Sequence, residues 1–288
     1  MSAGELTELA RETQVTRLGE GVDTSGRLSE EAIERVCAAL ARYREEIDRL
    51  GAEDVVAVAT SAVRDAANGE EFRSLLRERF GIDARTISGD EEARLSFRGA
   101  TADAGGEETL VIDIGGGSTE FVVGRPPADP DFHVSTTMGS VRHTERHLAD
   151  DPPVAEQLVA LRADARRIVE SEVPADVRAG VEQAIAVAGT ATSLAAIDQD
   201  LEPPDPERVH GYALSRDACL SRLERLAALP VVERRGVRGL HPDRAPTIVA
   251  GVAILVESLQ AFGLETVRVS EADILHGAAL AAGGGNGG

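Results

Sequence analysis

The stretch Leu110-Val-Ile-Asp-Ile-Gly-Gly-Gly-Ser-Thr-Glu-Phe-Val-Val-Gly124 decides how this chain is read. Four apolar residues, Leu110, Val111, Ile112 and Ile114, surround a lone acid, Asp113. Gly115, Gly116 and Gly117 follow, then the hydroxyls of Ser118 and Thr119, a second acid at Glu120, and another apolar run. The pattern is a buried strand, a glycine turn and a second strand. Consecutive glycines let backbone N–H groups approach an anion closely, with no Cβ in the way. Two carboxylates bracketing such a loop suit a hydrated Mg²⁺, which takes one or two carboxylates together with phosphate oxygens. Two readings stay open on this evidence, a phosphate-binding hairpin with a metal or an ordinary glycine turn. An acid at the end of an apolar strand needs a partner, which favours the first. A Walker A loop is excluded by the missing Gly-Lys-Ser/Thr ending. A dinucleotide fingerprint is excluded because a strand, not a helix, follows.

Outward from the hairpin, strands alternate with helices, which argues an α/β fold with parallel pairing. Ser29 caps a helix whose apolar residues recur at Ile33, Val36, Cys37, Leu40, Tyr43, Ile47 and Leu50, and Gly51 stops it. Residues 54–60 and 84–88 read as short strands, each leading into a helix. Residues 5–17 read as one or two strands of mixed pattern. The Gly-rich stretch 102–108 is taken as a domain boundary, giving domains 1–107 and 108–288. Later strands are expected at 132–138, 184–188 and 266–270. Helices are expected at 155–173, 215–228, 244–262 and 272–282, with a disordered glycine tail at 283–288.

Three more stretches offer chemistry. Ile87-Ser-Gly-Asp-Glu-Glu-Ala-Arg-Leu95 places Glu91 and Glu92 at a helix start, where a carboxylate either caps the helix or deprotonates a water. Val187-Ala-Gly-Thr-Ala-Thr-Ser193 offers Gly189 and Thr190 at another helix N-terminus, suited to an anion or to plain capping. Arg64, near a strand end, either contacts phosphate or forms a surface ion pair with Asp65 or a neighbour. His143 and His147 have the spacing of two metal ligands on one helix face. No third ligand suggests itself, so a solvated helix face is expected there.

The composition bounds the partners. The 288 residues carry a net charge of −20, no Trp and no Lys, so every fixed cation is an Arg. Such a surface repels nucleic acid and anionic membranes, and neither is expected as a partner. Cys37 and Cys219 sit in helical patterns without metal-ligand or disulfide spacing. With no signal peptide and no transmembrane run, a cytoplasmic location is expected.

Taken together, these segments resemble the exopolyphosphatase/guanosine-pentaphosphate phosphohydrolase (Ppx/GppA) family of the actin–hexokinase–Hsp70 superfamily. The resemblance rests on residues 59–68, 87–95 and 111–120, extended by 138–142, 188–193 and 248–251, in family order over nearly the whole chain. It implies two actin-like (ribonuclease H-like) α/β domains with a cleft between them. It also implies Mg²⁺-dependent release of terminal phosphate from inorganic polyphosphate, with pppGpp as the alternative substrate. By the same resemblance Glu92 is the base on water, with Glu91 second. Asp113 and Glu120 hold the metal. Gly115, Gly116, Gly117, Ser118, Thr119, Arg64, Gly189 and Thr190 bind phosphate. A homodimer is also implied.

The family opens with a strand and an Asp-x-Gly-Thr-Asn-Ser loop, for which no matching sequence is found here. The expectation is a chain lacking its first phosphate loop and less active for it, or else a catalytically weak protein that binds a phosphorylated ligand. An actin-like kinase is disfavoured by the Glu91-Glu92 motif.

Overall fold

The computed structural model describes residues 6–285. The chain forms two compact units, one running to Glu92 and resumed from Ala278, the other spanning Ala93–Gly277. The division thus falls within a helix, not at 107/108. Residues 102–108, although Gly-rich, lead directly into a strand at the centre of the second unit's sheet.

The first unit contains α1 (Val22–Ser25), α2 (Glu30–Leu50), β1 (Val58–Ala59), α3 (Ser61–Asp65), α4 (Gly69–Phe80), β2 (Arg85–Thr86) and the start of α5 (Gly89–Ala100). The ends of α2 follow from its sequence. The Ser29 side chain accepts from the Ala32 N–H, and Gly51 closes the helix at φ 68°, a left-handed conformation that glycine adopts without steric cost. Val22, Leu28, Val63, Phe72 and Leu76 form this unit's core. β1 and β2 pair in parallel over two residues each, so the strands expected at 54–60 and 84–88 are much shorter than their apolar runs. Residues 6–17 form no strand. Leu6 and Leu9 are exposed, so no buried face rewards pairing there.

The second unit is built on a six-stranded sheet. Its elements are β3 (Thr109–Ile114), β4 (Thr119–Gly124), β5 (Phe132–Thr136), α6 (Ser140–His147), α7 (Ala155–Glu172), α8 (Ala175–Gly180), β6 (Gln183–Val187) and α9 (Ala188–Asp198). Then come α10 (Pro206–Val209), β7 (Ala213–Ser215), α11 (Arg216–Ala227), α12 (Val231–Arg234), a 3₁₀ turn (Pro242–Arg244), α13 (Ile248–Ala261), β8 (Thr266–Val269) and α14 (Ile274–Gly285). The expected disordered tail is corrected in part, because residues 283–285 continue α14; residues 286–288 lie outside the described residues.

The strand order is β5-β4-β3-β6-β8-β7. β3, β6 and β8 run parallel, while β4 is antiparallel to β3 and β7 to β8. This is the α/β architecture expected from the sequence. The sheet is covered on both faces, which is why every residue of β3 and β4 is buried. Leu110, Ile112, Ile114, Phe121 and Val123 point into the larger core, shared with α7, α9, α11 and α13. Val111, Val122, Ile185 and Val187 point to the other face, against Ala93 and Phe97 of α5. Helix α13 is apolar all round because it is enclosed, packing on α6, α7, α9, α11 and β3. Its one charged residue, Glu257, is 1% exposed. The α7 arginines Arg162 and Arg166, four residues apart, hold its two carboxylate oxygens at 2.6 Å each. No helix among the described residues is long and apolar enough to cross a membrane.

Candidate active site

β3 and β4 meet in the glycine loop, and their register places Asp113 directly opposite Glu120. Directly opposed residues of an antiparallel pair share one face of the sheet. Here it is the face covered by α5. Asp113 Oδ2 accepts from Ser96 Oγ of α5 at 2.7 Å, and Glu120 Oε1 accepts from Ser135 Oγ of β5 at 2.7 Å. Both carboxylates are buried, at 9% and 2% exposure. Two neighbouring buried acids repel each other unless a cation or proton lies between them. This donor set, two oxygen ligands oriented by hydroxyls, suits a hard divalent cation such as Mg²⁺.

The loop itself is shaped by α6. The Gly115 carbonyl accepts from Ser140 N at 2.9 Å, and the Gly116 carbonyl accepts from Val141 N at 2.9 Å and Arg142 N at 3.2 Å. The Gly117 carbonyl accepts from Arg142 Nε at 2.9 Å. Three successive carbonyls thus turn toward α6; those of Gly115 and Gly116 satisfy N-terminal backbone donors that no side chain caps there, and that of Gly117 takes the Arg142 side chain. In a trans peptide the N–H points opposite to the preceding C=O. The N–H groups of Gly116, Gly117 and Ser118 therefore all point away from α6. Since α6 packs on α7 and α13, on the larger-core side, those three donors face the side that carries Asp113 and Glu120. Such a run of N–H groups is an anion nest.

None of these loop glycines has a positive φ. Close approach constrains the contact between loop and helix, most of all at Gly139. A Cβ on Gly116 would meet Val141 Cγ2 at 3.3 Å, and one on Gly139, at the start of α6, would lie 2.3 Å from the Gly116 carbonyl oxygen. The Thr119 hydroxyl is committed elsewhere, since it donates to the Met138 carbonyl at 2.6 Å and is fully buried. Its role is to tie β4 to the approach of α6. Ser118 is buried at the loop tip.

The parallel neighbour β6 brings a second helix start to the same end of the sheet, because Asp113 pairs with Val187, the last residue of β6. Ligand sites in parallel sheets gather at such carboxyl ends. Ala188 follows at φ 63°, a strained turn for a residue with a Cβ, and α9 begins without a side-chain cap. Its first N–H groups, those of Gly189 and Thr190 among them, have no intrahelical partner. The Thr190 side chain is buried and turned toward α13, where a Cβ on Gly251 would meet its Oγ1 at 2.4 Å.

Arg244, which the sequence did not single out, lies here as well. Its guanidinium occupies the space a Cβ on Gly189 would fill, at 1.7 Å from Nη1. Burial pushes its pKa down, against the pull of Glu271. A guanidinium desolvated in this way favours an anion at its side. The only local signal was a basic residue between two prolines, and contact with Gly189 is made across more than fifty residues.

In the first unit, Arg64 of α3 reaches the start of α5. Its Nη1 donates to the Ile87 carbonyl at 3.0 Å and to Glu92 Oε2 at 3.1 Å. The ion pair thus joins Arg64 to Glu92. The two candidate bases differ sharply. Glu92 is 6% exposed. Burial pushes its pKa up, opposed by the Arg64 guanidinium. Glu91 points outward into a two-point pair with Arg85, at 2.7 and 2.6 Å, whose hydrogen bond holds its carboxyl below the usual range. Adjacent helix positions lie about 100° apart, so one faces in and one out.

The expectation for His143 and His147 is corrected. His143 is fully buried, not solvated, and Asp164 of α7 joins the pair as a third potential ligand. Helix α6 reads as polar, but its inner side is covered by α7 and α13.

Comparison with known proteins agrees with this architecture. The model of the Ppx/GppA phosphatase family matches residues 1–281. A relative from Mycobacterium tuberculosis named exopolyphosphatase 2 is 37% identical over 99% of this chain and 92% of its own. The crystal structure of the Aquifex aeolicus Ppx/GppA family member superposes with a TM-score of 0.81 at 29% identity, covering 100% of this chain and 93% of that one. An exopolyphosphatase from Cytophaga hutchinsonii reaches 0.87 at 26% identity, covering 96% and 90%. On a family match that spans nearly every residue, this chain belongs to the Ppx/GppA phosphatase family.

Proposed function

We propose that this protein is a phosphoanhydride hydrolase that releases terminal orthophosphate from inorganic polyphosphate with Mg²⁺. The observation that carries the reading is the loop of three N–H groups turned to the side of a buried carboxylate pair, with Arg244 beside the neighbouring helix start. Names of the relatives support polyphosphate as the substrate. The loop donors of Gly116, Gly117 and Ser118 bind oxygens of the phosphoryl group, and Arg244 offers a fixed cation. Asp113 and Glu120 are the residues that would hold Mg²⁺, which when bound neutralises charge on the phosphate oxygens. Glu92 takes a proton from the attacking water, whose oxygen bonds to the terminal phosphorus. The bridging oxygen leaves with the shortened chain. A base kept mostly out of water and steadied by Arg64 has the raised pKa that such proton transfer favours. Phosphoryl transfer asks little else beyond positioning and charge.

The test is phosphate release from polyphosphate and, separately, from pppGpp with Mg²⁺, comparing the native protein with Glu92→Gln and Glu91→Gln. Polyphosphate turnover lowered roughly 10²–10⁴-fold in Glu92→Gln and little changed in Glu91→Gln is expected. Turnover of pppGpp alone would overturn the substrate. Unaltered turnover in Glu92→Gln would overturn the assignment of the base.

A further inference from the structure

His143, His147 and Asp164 form a cluster that the phosphatase reading leaves unused. His143 and His147 lie one turn apart on α6, their ring centroids 5.5 Å apart, and Asp164 faces them from α7. Asp164 Oδ2 is 3.0 Å from His147 Nε2 and 3.6 Å from His143 Nε2. His143 has no exposed surface, and neither of its ring nitrogens has a hydrogen-bond partner. Buried imidazoles ordinarily find partners, so an orphaned one calls for a ligand. An ion bound tetrahedrally at about 2.0–2.1 Å holds its ligand atoms roughly 3.3 Å apart. The two separations from Asp164 Oδ2 bracket that value.

We propose that His143, His147 and Asp164 bind a divalent transition ion of the zinc class, clamping α6 to α7. Three protein ligands leave one position for water. Two imidazoles distinguish this set from the all-carboxylate pair Asp113 and Glu120, because imidazole suits zinc, copper and nickel while magnesium prefers oxygen. The protonation states are suitable. Burial pushes His143 down to about 4, so its ring is neutral and keeps a lone pair at pH 7. Burial alone would raise the Asp164 carboxyl, but hydrogen bonds from Arg167 and His147 outweigh this and hold it ionised. Arg167 Nη2 donates to Asp164 Oδ1 at 2.6 Å, leaving Oδ2 to the imidazoles, the kind of outer contact that orients a ligating carboxylate. Arg146 Nη1, 3.8 Å from Oδ2, is a competing cation that an entering ion displaces. His147 and Asp164 keep 15% and 17% of their side chains exposed, which gives the ion a way in. The N-terminal end of α6 carries the hydrogen bonds that shape the glycine loop, so the same helix joins the two sites.

The experiment uses the full chain, stripped with a chelator and titrated with Co²⁺. One Co²⁺ per chain with intense visible bands of a four-coordinate, nitrogen-containing site is expected, displaced by Zn²⁺ and not by Mg²⁺. His147→Ala and Asp164→Asn should each remove the band and weaken Zn²⁺ binding by at least roughly 100-fold, more than loss of an outer partner costs. Asp113→Asn should keep the band. Two sets of paramagnetically shifted imidazole protons in the native protein give the same answer without relying on a variant. No saturable band, a band that survives both cluster variants, or one lost only in Asp113→Asn would overturn the proposal.

Discussion

Replacing Gly139 with Ala tests whether α6 must sit against the glycine loop. Gly139 has extended backbone (φ −148°, ψ 159°), so alanine meets no conformational penalty there. The penalty is steric. The added Cβ would lie 2.3 Å from the Gly116 oxygen, 2.5 Å from the Gly116 carbonyl carbon and 2.6 Å from the Gly117 carbonyl carbon, all backbone atoms. Carbon–oxygen contacts settle near 3.3–3.6 Å, so helix and loop must separate by about 1 Å. That stretch breaks the bonds from Ser140 N and Val141 N, now at 2.9 Å, and from Arg142 N, now at 3.2 Å. At about 1 kcal/mol net per bond, with strain of roughly 1–3 kcal/mol for the residual overpacking, Gly139→Ala should lose about 4–6 kcal/mol. A shift of about 1 Å in a positioning group also costs roughly 10²-fold in rate. Urea unfolding and polyphosphate turnover read the two effects. Gly116→Ala is the stability comparator, because its Cβ meets only a Val141 methyl at 3.3 Å and should cost about 1 kcal/mol or less. Gly139→Ala with native turnover and a native urea midpoint would refute the idea that α6 shapes the loop.

Because burial raises the Glu92 pKa, its basic form should appear at higher pH than an ordinary glutamate, and the acidic limb of the pH–rate profile should lie above the usual carboxylate range; a limb at the ordinary position, unchanged in Glu92→Gln, would contradict this. The folded state then binds more protons than the unfolded between the two Glu92 pKa values, so its stability contribution falls as pH rises through that window, and Glu92→Gln should flatten the dependence in denaturant titrations. Glu257→Ala leaves Arg162 and Arg166 without their shared carboxylate and should cost roughly 3 kcal/mol in urea unfolding, the low end for a broken buried pair because both arginines can turn to water; a loss below about 1 kcal/mol would show that the pair is energetically idle. The Cys219 thiol, pushed up to about 12 by burial, should resist thiol reagents in the native state and react on unfolding, and rapid native labelling at Cys219 would be inconsistent with its burial.

Much of the fold is legible where local chemistry and tertiary packing agree. Ser29 and Gly51 bracket α2 because capping is a local event. The hairpin is legible because its alternating strands and its glycines occur within fifteen residues. Legibility fails where an element exists only through a partner. β7 is three residues with one buried side chain, and pairing to β8 makes it a strand. The apolar residues at 6–17 suggested strands, yet Leu6 and Leu9 find no face to cover. Glu91 and Glu92 look equivalent in the chain. Helix geometry sends one to Arg85 at the surface and the other into burial with Arg64. Arg244 and Asp164 were invisible as site residues because their partners, Gly189 and the α6 histidines, are distant in sequence and only the sheet and helix packing bring them near.

The triple glycine clears side chains from the path of an anion, and the structure gives the run a second task. Its first two carbonyls cap α6 and its third holds the Arg142 side chain, and that capture is what turns the following N–H groups outward together. Alanines could expose N–H groups at a turn without positive φ, but an alanine at Gly139 would hold the start of α6 away from the Gly116 carbonyl. The donor array is therefore a property of the loop and helix jointly. Helix α6 is eight residues, about 12 Å long. The distance from its far end, where His147 meets α7, is short enough for a displacement there to be carried rigidly to the loop. The sequence of the loop alone shows the donors. Their common direction depends on Gly139 and on whatever fixes the other end of α6.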